Sequence, residues 1–174
     1  DVRKDEKILE IGPGKGVLTQ FLKGNVTLIE IDNDLFEELK IRFPEFKVIN
    51  NSILKYNGNF DKIISNVPYS ICEPLMNRLV KMNFKKAILM FPENFMGKGV
   101  LNLVMNHFFN INELLKINKN SFYPIPRVDS KILEIIPKRL NEKEKLLKSI
   151  YLQSDKKLKN VIDLDLKFKE KYIY

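Results

Sequence analysis

The chain of 174 residues is 44% apolar and 30% charged, the balance of an ordinary globular domain with one core. No apolar run approaches the roughly 18 residues of a membrane span. A single cysteine, Cys72, excludes an internal disulfide and suits a reducing compartment. Net charge is +8, and residues 137–174 hold eleven Lys/Arg against six Asp/Glu. That asymmetry is expected of a chain that meets nucleic acid, and equally of a solvated lysine-rich face.

Lys7 to Ile11 reads as a short apolar strand, followed at once by Gly12-Pro13-Gly14-Lys15-Gly16. Val17, Leu18, Phe21 and Leu22 then recur at helical spacing, with Gly24 and Asn25 closing that helix. Val26 to Ile31 is a second strand. Leu35, Phe36, Leu39 and Phe43 form one stripe of a helix that Pro44 stops. Phe46 to Ile49 is a third strand leading into Asn50-Asn51-Ser52, and Phe60 to Ser65 a fourth. Ser70 and Glu73 have capping-box spacing, Pro74 suits a first helical position, and Leu75, Met76, Leu79 and Val80 give the helix a buried face. Lys86 to Phe91 is a fifth strand, Leu101 to Phe109 a helix, and Ile111 to Ile117 and Lys131 to Ile136 two late strands. Strands alternating with helices predict a parallel sheet covered on both faces.

Ligands of such sheets sit beyond the carboxyl ends of the strands. The glycine loop, Glu30, Asn51-Ser52 and Asn66 all fall at those ends, so they are expected to line one crevice. The loop is Gly12-x-Gly14-x-Gly16, not the dinucleotide spacing, whose third position falls on Val17. With Glu10 before it and Glu30 after it, the spacing suits either NAD or S-adenosylmethionine (SAM). Nothing in the chain would place a nicotinamide, which favours SAM. One Cys and one His make no ordinary zinc site, so no metal is expected. Cys72 reads as a buried spectator thiol and His107 as a structural residue of an apolar helix.

After the fourth strand comes Asn66-Val67-Pro68-Tyr69. Pro68 fixes its own φ and pushes Val67 into extended backbone, which stiffens the loop. The Asn66 amide oxygen and the Val67 carbonyl would accept hydrogen bonds from an amino group while the Tyr69 ring stacks on the plane that carries it. That is a receptor for the exocyclic amine of a planar base. An ordinary turn is the plain alternative for these four residues.

From Lys7 to Pro137 the chain resembles the ribosomal RNA adenine dimethyltransferases. ILEIGPGKGVLT is similar to the first motif of that family, LIEID to the second, SNVPYSI to the catalytic N-[LIV]-P-Y-x-I, and SFYPIPRVDS to F-x-P-x-P-x-V-x-S. GPGKG with FYPIPRVDS resembles the small-subunit branch. Ser52 stands where the family usually has Asp, and Pro92-Glu93-Asn94-Phe95 where it tends to have Gln-x-Glu-Phe. The sequence holds no counterpart of the family's G-Q-x-F-L segment. KSIYLQSDKKLKNVI resembles the opening helices of the family's C-terminal domain, and Leu164, Leu166 and Phe168 then alternate like an extended arm.

The resemblance implies a class I SAM-dependent methyltransferase fold: an α/β, Rossmann-like sheet, mostly parallel with an antiparallel late strand. A truncated helical C-terminal appendage would follow. Residues 1–137 would form the SAM-binding domain and 138–174 a short basic segment left from an RNA-binding domain. The resemblance implies SAM contacts from Glu10, Gly12, Gly14, Gly16, Glu30, Ile31, Ser52, Ile53 and Asn66. It implies catalytic roles for Asn66, Val67, Pro68 and Tyr69, with Phe122 covering the other face of the adenine. Lys138, Lys143, Lys145, Lys156, Lys157 and Lys159 would bind phosphates. The substrate implied is ribosomal RNA in an immature small subunit, met by a cytoplasmic monomer without membrane or metal. Alternatives are an assembly factor that keeps the fold without catalysis, and an amino-methyltransferase acting on large-subunit ribosomal RNA, DNA adenine or protein glutamine.

Overall fold

The computed structural model describes residues 3, 5–95 and 100–152. Lys156, Lys157, Lys159, Leu164, Leu166 and Phe168 lie outside the described residues. The chain divides into two compact units, Asp1–Lys138 and Arg139–Tyr174. The described part of the second unit includes one helix, α4 (Glu142–Leu152), in which Lys145 pairs with Glu142 one turn away.

The first unit is built on strands β1 (Lys7–Ile11), β2 (Asn25–Glu30), β3 (Lys47–Asn50), β4 (Lys62–Asn66), β5 (Lys86–Pro92), β6 (Phe109–Ile117) and β7 (Ser130–Pro137). They form one sheet in the order β3-β2-β1-β4-β5-β7-β6. The first five pair in parallel, and β7 runs antiparallel to both β5 and β6. The expected sheet, mostly parallel with an antiparallel late strand, is the one found. Strand order reverses between β1 and β4, and open sheets of this kind offer their ligand crevice at the carboxyl ends of such a pair.

The helices are α1 (Asn33–Arg42), α2 (Cys72–Lys81) and α3 (Val100–Phe108). Asp32 caps α1, its carboxylate accepting from the amides of Asp34 and Leu35 at 2.9 and 3.0 Å. Leu39 and Phe43 then pack with Ile8, Val26, Leu28 and Phe46 on one face of the sheet. The apolar positions expected of α2, Leu75, Met76, Leu79 and Val80, are fully buried. Each such side chain contributes about 1.5–3 kcal/mol by leaving water. Among the described residues no helix is long and apolar enough to cross a membrane.

Two local expectations are corrected. No α-helix follows the glycine loop; there is a run of turns and one 3-10 turn, Thr19–Phe21. Of the stripe Val17, Leu18, Phe21 and Leu22, Val17 and Phe21 are 70% and 74% exposed and Leu22 packs on the core, while Thr19 is fully buried. With half of its stripe in water, a segment this short cannot hold a helix. The second concerns α2. Ile71, not Ser70, is its N-cap, no side chain caps it, and Pro74 is its third residue. A 3-10 turn, Tyr69–Ile71, tightened by the Ile71 amide donating to the Pro68 carbonyl at 3.0 Å, runs straight into the helix. Proline is tolerated there because first-turn amides lack helical partners anyway.

Candidate active site

The site is assembled where β1, β2, β3 and β4 end. Gly12, Gly14 and Gly16 have φ of 60°, 56° and 74°, left-handed backbone that glycine adopts without penalty. The Gly12 amide donates to the Ile29 carbonyl at 2.9 Å, which carries the parallel β1–β2 ladder into the start of the loop. A Cβ on Gly12 would meet Pro68 Cγ at 3.6 Å, so the glycine loop and the Asn66–Tyr69 loop lie side by side. Gly14 faces open space, with nothing within 4 Å of where its Cβ would be. Gly16 is different: a Cβ there would stand 2.4 Å from the Phe43 ring, so its missing side chain makes room for the core.

Glu30, the last residue of β2, is buried and oriented by backbone amides. Its Oε2 accepts from Gly14 at 3.1 Å, and its Oε1 from Ile31 at 2.8 Å and Asp32 at 3.0 Å. Its carbonyl accepts from the Asn51 amide at 3.0 Å and from Asn50 Nδ2 at 3.2 Å, which stitches the end of β3 to β2. Glu10 is buried within β1, its Oε2 accepting from Thr19 Oγ1 at 2.7 Å. Burial pushes the Glu10 carboxyl up to about 6, against a downward pull from the Thr19 hydroxyl.

Asn66 ends β4 with its side chain exposed and, among the described residues, without a hydrogen bond. Val67 is buried and its amide donates to the Met90 carbonyl of β5 at 3.2 Å, which anchors the loop. Pro68 has φ −57° and ψ 130°, the fixed extended corner that the sequence predicts. Tyr69 is 47% exposed, and its hydroxyl lies 3.3 Å from the Ser130 Oγ at the start of β7. Cys72 is buried, its thiol donating to the Pro68 carbonyl at 3.7 Å and pushed up to about 11 by burial.

Ser52 follows β3, its Oγ accepting from the Leu54 amide at 3.3 Å and its carbonyl from Lys55 and Tyr56 at 3.0 Å each. Ile53 is buried in that turn and Ile31 is exposed beside Glu30. Phe122 is half-buried in the β6–β7 loop, and among the described residues no ring pair joins it to Tyr69. Three residues that sequence reasoning missed hold these groups in place: Thr19 on Glu10, Asn50 on Glu30 and Ser130 on Tyr69. Ser130 was visible as the final serine of SFYPIPRVDS. The other two carried no signal, because Asn50 meets its partner across neighbouring strands and Thr19 meets Glu10 from the 3-10 turn beyond the glycine loop. Among the described residues no cluster of His, Cys, Asp or Glu could hold a metal.

The chemistry of this crevice fits SAM. A Cβ at Gly12 would fill the gap beside Pro68, and Gly14 leaves open space in front of an oriented carboxylate. The buried Glu30, oriented by backbone amides, can accept from ribose hydroxyls, and the exposed Asn66 amide oxygen can accept from an amino group.

The family model described as ribosomal RNA adenine dimethylase matches residues 1–163. Ribosomal RNA small subunit methyltransferase A of Borreliella burgdorferi is 36% identical over 189 residues, covering 93% of this chain and 67% of that protein. A dimethyladenosine transferase from Plasmodium falciparum superposes with a TM-score of 0.72 at 31% identity, over 83% of this chain and 59% of that one. The 23S rRNA methyltransferase ErmE shares the fold, with a TM-score of 0.74 at 22% identity over 88% of this chain and 73% of its own. The matched span falls short of the full length of each of these relatives. On these matches the chain belongs to the ribosomal RNA adenine dimethylase family, whose methyl donor is S-adenosylmethionine.

Proposed function

We propose that the chain transfers methyl groups from SAM to the exocyclic amines of adenines in small-subunit ribosomal RNA, two to each base. It would act as a cytoplasmic monomer on an immature subunit. Residues 1–137 would carry the chemistry and 138–174 a basic grip on RNA. The observation that supports this reading most is the nearness of Gly12 to Pro68, whose ring a Cβ on the glycine would meet at 3.6 Å, two residues from the exposed Asn66.

The cofactor supplies an electrophilic methyl group on a sulfonium. The chain's own residues make the amine a nucleophile. An adenine amine is weak because its lone pair is delocalised into the ring. Asn66 Oδ1 and the Val67 carbonyl would accept its two protons, favouring a tetrahedral nitrogen and aiming the lone pair. Held so, the nitrogen would face the methyl that the bound donor would supply, with the thioether as leaving group, and the amine would give up its extra proton to water. Positioning and charge placement supply the rate, so no general base is needed beforehand. Tyr69 would stack on the everted base and Phe122 cover its other face. Glu30 would accept from the ribose diol, its geometry fixed by the amides of Ile31 and Asp32. Glu10, Gly12, Gly14, Gly16, Ile31, Ser52 and Ile53 would complete the cofactor wall.

Labelled-methyl transfer to immature small subunits, with the modified bases mapped, tests the reading. Dimethylated adenines in small-subunit RNA are the expected result. Label found only on DNA, on large-subunit RNA or on protein would overturn the substrate, and no label on any of them the activity.

A further inference from the structure

The loop between β6 and β7 contains features that neither the fold nor the reaction uses. Its base is closed twice through Asp129. The Asp129 carboxylate accepts from the Lys119 amide at 2.9 Å, and its carbonyl accepts from the Glu93 amide at 2.8 Å. Beyond that closure Tyr123 is 100% exposed, although a tyrosine ring ordinarily buries much of its large area. Lys119 and Arg127 are exposed on either side of it in sequence and, among the described residues, enter no ion pair. Lys116, just before the loop, is by contrast neutralised by Glu93 at 2.9 Å. Asp129 is the loop's sole acid, and it is spent on the Lys119 amide. The loop also joins the site directly, since it runs into Ser130, whose Oγ meets the Tyr69 hydroxyl.

We propose that this loop is a platform for single-stranded RNA, with Tyr123 stacking on a base that flanks the target adenine and Lys119 and Arg127 meeting the adjoining phosphates. The proposal rests on the reading of Asn66–Tyr69 as a receptor for an RNA adenine. Ser130 lies seven positions after Tyr123, a reach of at most about 25 Å, which confines the contact to nucleotides near the target. An exposed ring between two cations that enter no ion pair among the described residues matches a strand that offers π-faces and negative charge in alternation. An acidic peptide would use the cations and leave the ring idle.

The full chain would be titrated into a labelled, adenine-containing single-stranded RNA while fluorescence anisotropy is followed. Tyr123→Ala is expected to weaken binding roughly ten-fold or more, and Tyr123→Phe, which keeps the π-face, to bind as wild type. Lys119→Ala and Arg127→Ala should each flatten the salt dependence by about 0.7 in log–log slope. On small subunits, Tyr123→Ala should raise KM for the particle and leave kcat and SAM affinity unchanged. If Tyr123→Ala binds RNA like wild type, or Tyr123→Phe loses as much as Tyr123→Ala, the platform is overturned. Methyl transfer by wild type with an unaltered KM in Tyr123→Ala also overturns it and leaves the enzymatic reading standing. RNA binding that depends on Tyr123, in a wild type that transfers no methyl, overturns the enzymatic reading and supports the platform.

Discussion

The amide of Gly14 donates to the carboxylate of Glu30 at 3.1 Å, so the glycine loop of β1 is already moored to the end of β2. Three of the roughly four acceptor positions of that carboxylate are occupied by backbone amides. Glu30→Gln removes the charge and puts a donor where an acceptor is needed. SAM affinity measured by calorimetry should fall about ten- to hundred-fold, the worth of hydrogen bonds to a charged group. Unchanged affinity would show that Glu30 serves the loop and not the ligand.

Asn66 is exposed at the end of β4, its amide without a hydrogen bond among the described residues, and its backbone is held by β5. Asn66→Ala should lower single-turnover methyl transfer on the order of 100-fold or more, by analogy with one lost oxyanion donor. Global stability measured by urea unfolding should barely move, because no packed contact is lost.

Gly16→Ala makes the opposite prediction. The added methyl would stand 2.4 Å from the Phe43 ring, in backbone with φ of 74°. Destabilisation on the order of 1–3 kcal/mol is expected from strain and overpacking, read from denaturant midpoints. Truncating Phe43 in the same chain should recover part of it, since the clash is with that ring alone.

The mostly parallel sheet and the strand ends at Glu30 and Asn66 were legible because buried strands write themselves as apolar runs and their ends as polar breaks. The segment after Gly16 was not. Val17, Leu18, Phe21 and Leu22 recur at helical spacing, yet Val17 and Phe21 face water and Leu22 packs on the core without a helix. The true anchor there is the buried Thr19 hydroxyl on Glu10, a contact between residues that periodicity does not link. The Ser70–Glu73 spacing misled for a related reason: Pro68 had already set the entry to α2 through its carbonyl. The tether from Ser130 to Tyr69 spans 61 positions and could be found only as a motif serine without a stated task.

Glu10 predicts a pH effect. Its folded pKa, about 6, lies above the ordinary 4.5, so between those values the folded chain holds the proton more tightly than the unfolded one. Stability contributed by the protonated form is complete below 4.5 and is lost as pH rises through about 6, on the order of 1–2 kcal/mol. Glu6, Asp61 and Glu134 act in the other sense at lower pH, since their lysine partners depress them. The comparison is therefore wild type against Glu10→Gln. Thermal unfolding of the variant should lose the decline between pH 4.5 and 6, and its stability at pH 7.5 should exceed that of wild type.

Cys72 should be inert. Its buried thiol, pushed up to about 11, is overwhelmingly protonated at pH 8. Ellman's reagent is expected to find no fast-reacting thiol in the native chain and one in denaturant. Rapid native labelling would mean that α2 opens at its first turn.

The double closure at Asp129 roots the stretch from Lys119 onward through one side chain and one carbonyl, and it leaves Tyr123 fully exposed. Tyr123 is therefore a position where substitution should retune strand capture at no cost to folding, provided that Phe122 beside it keeps its cover over the base.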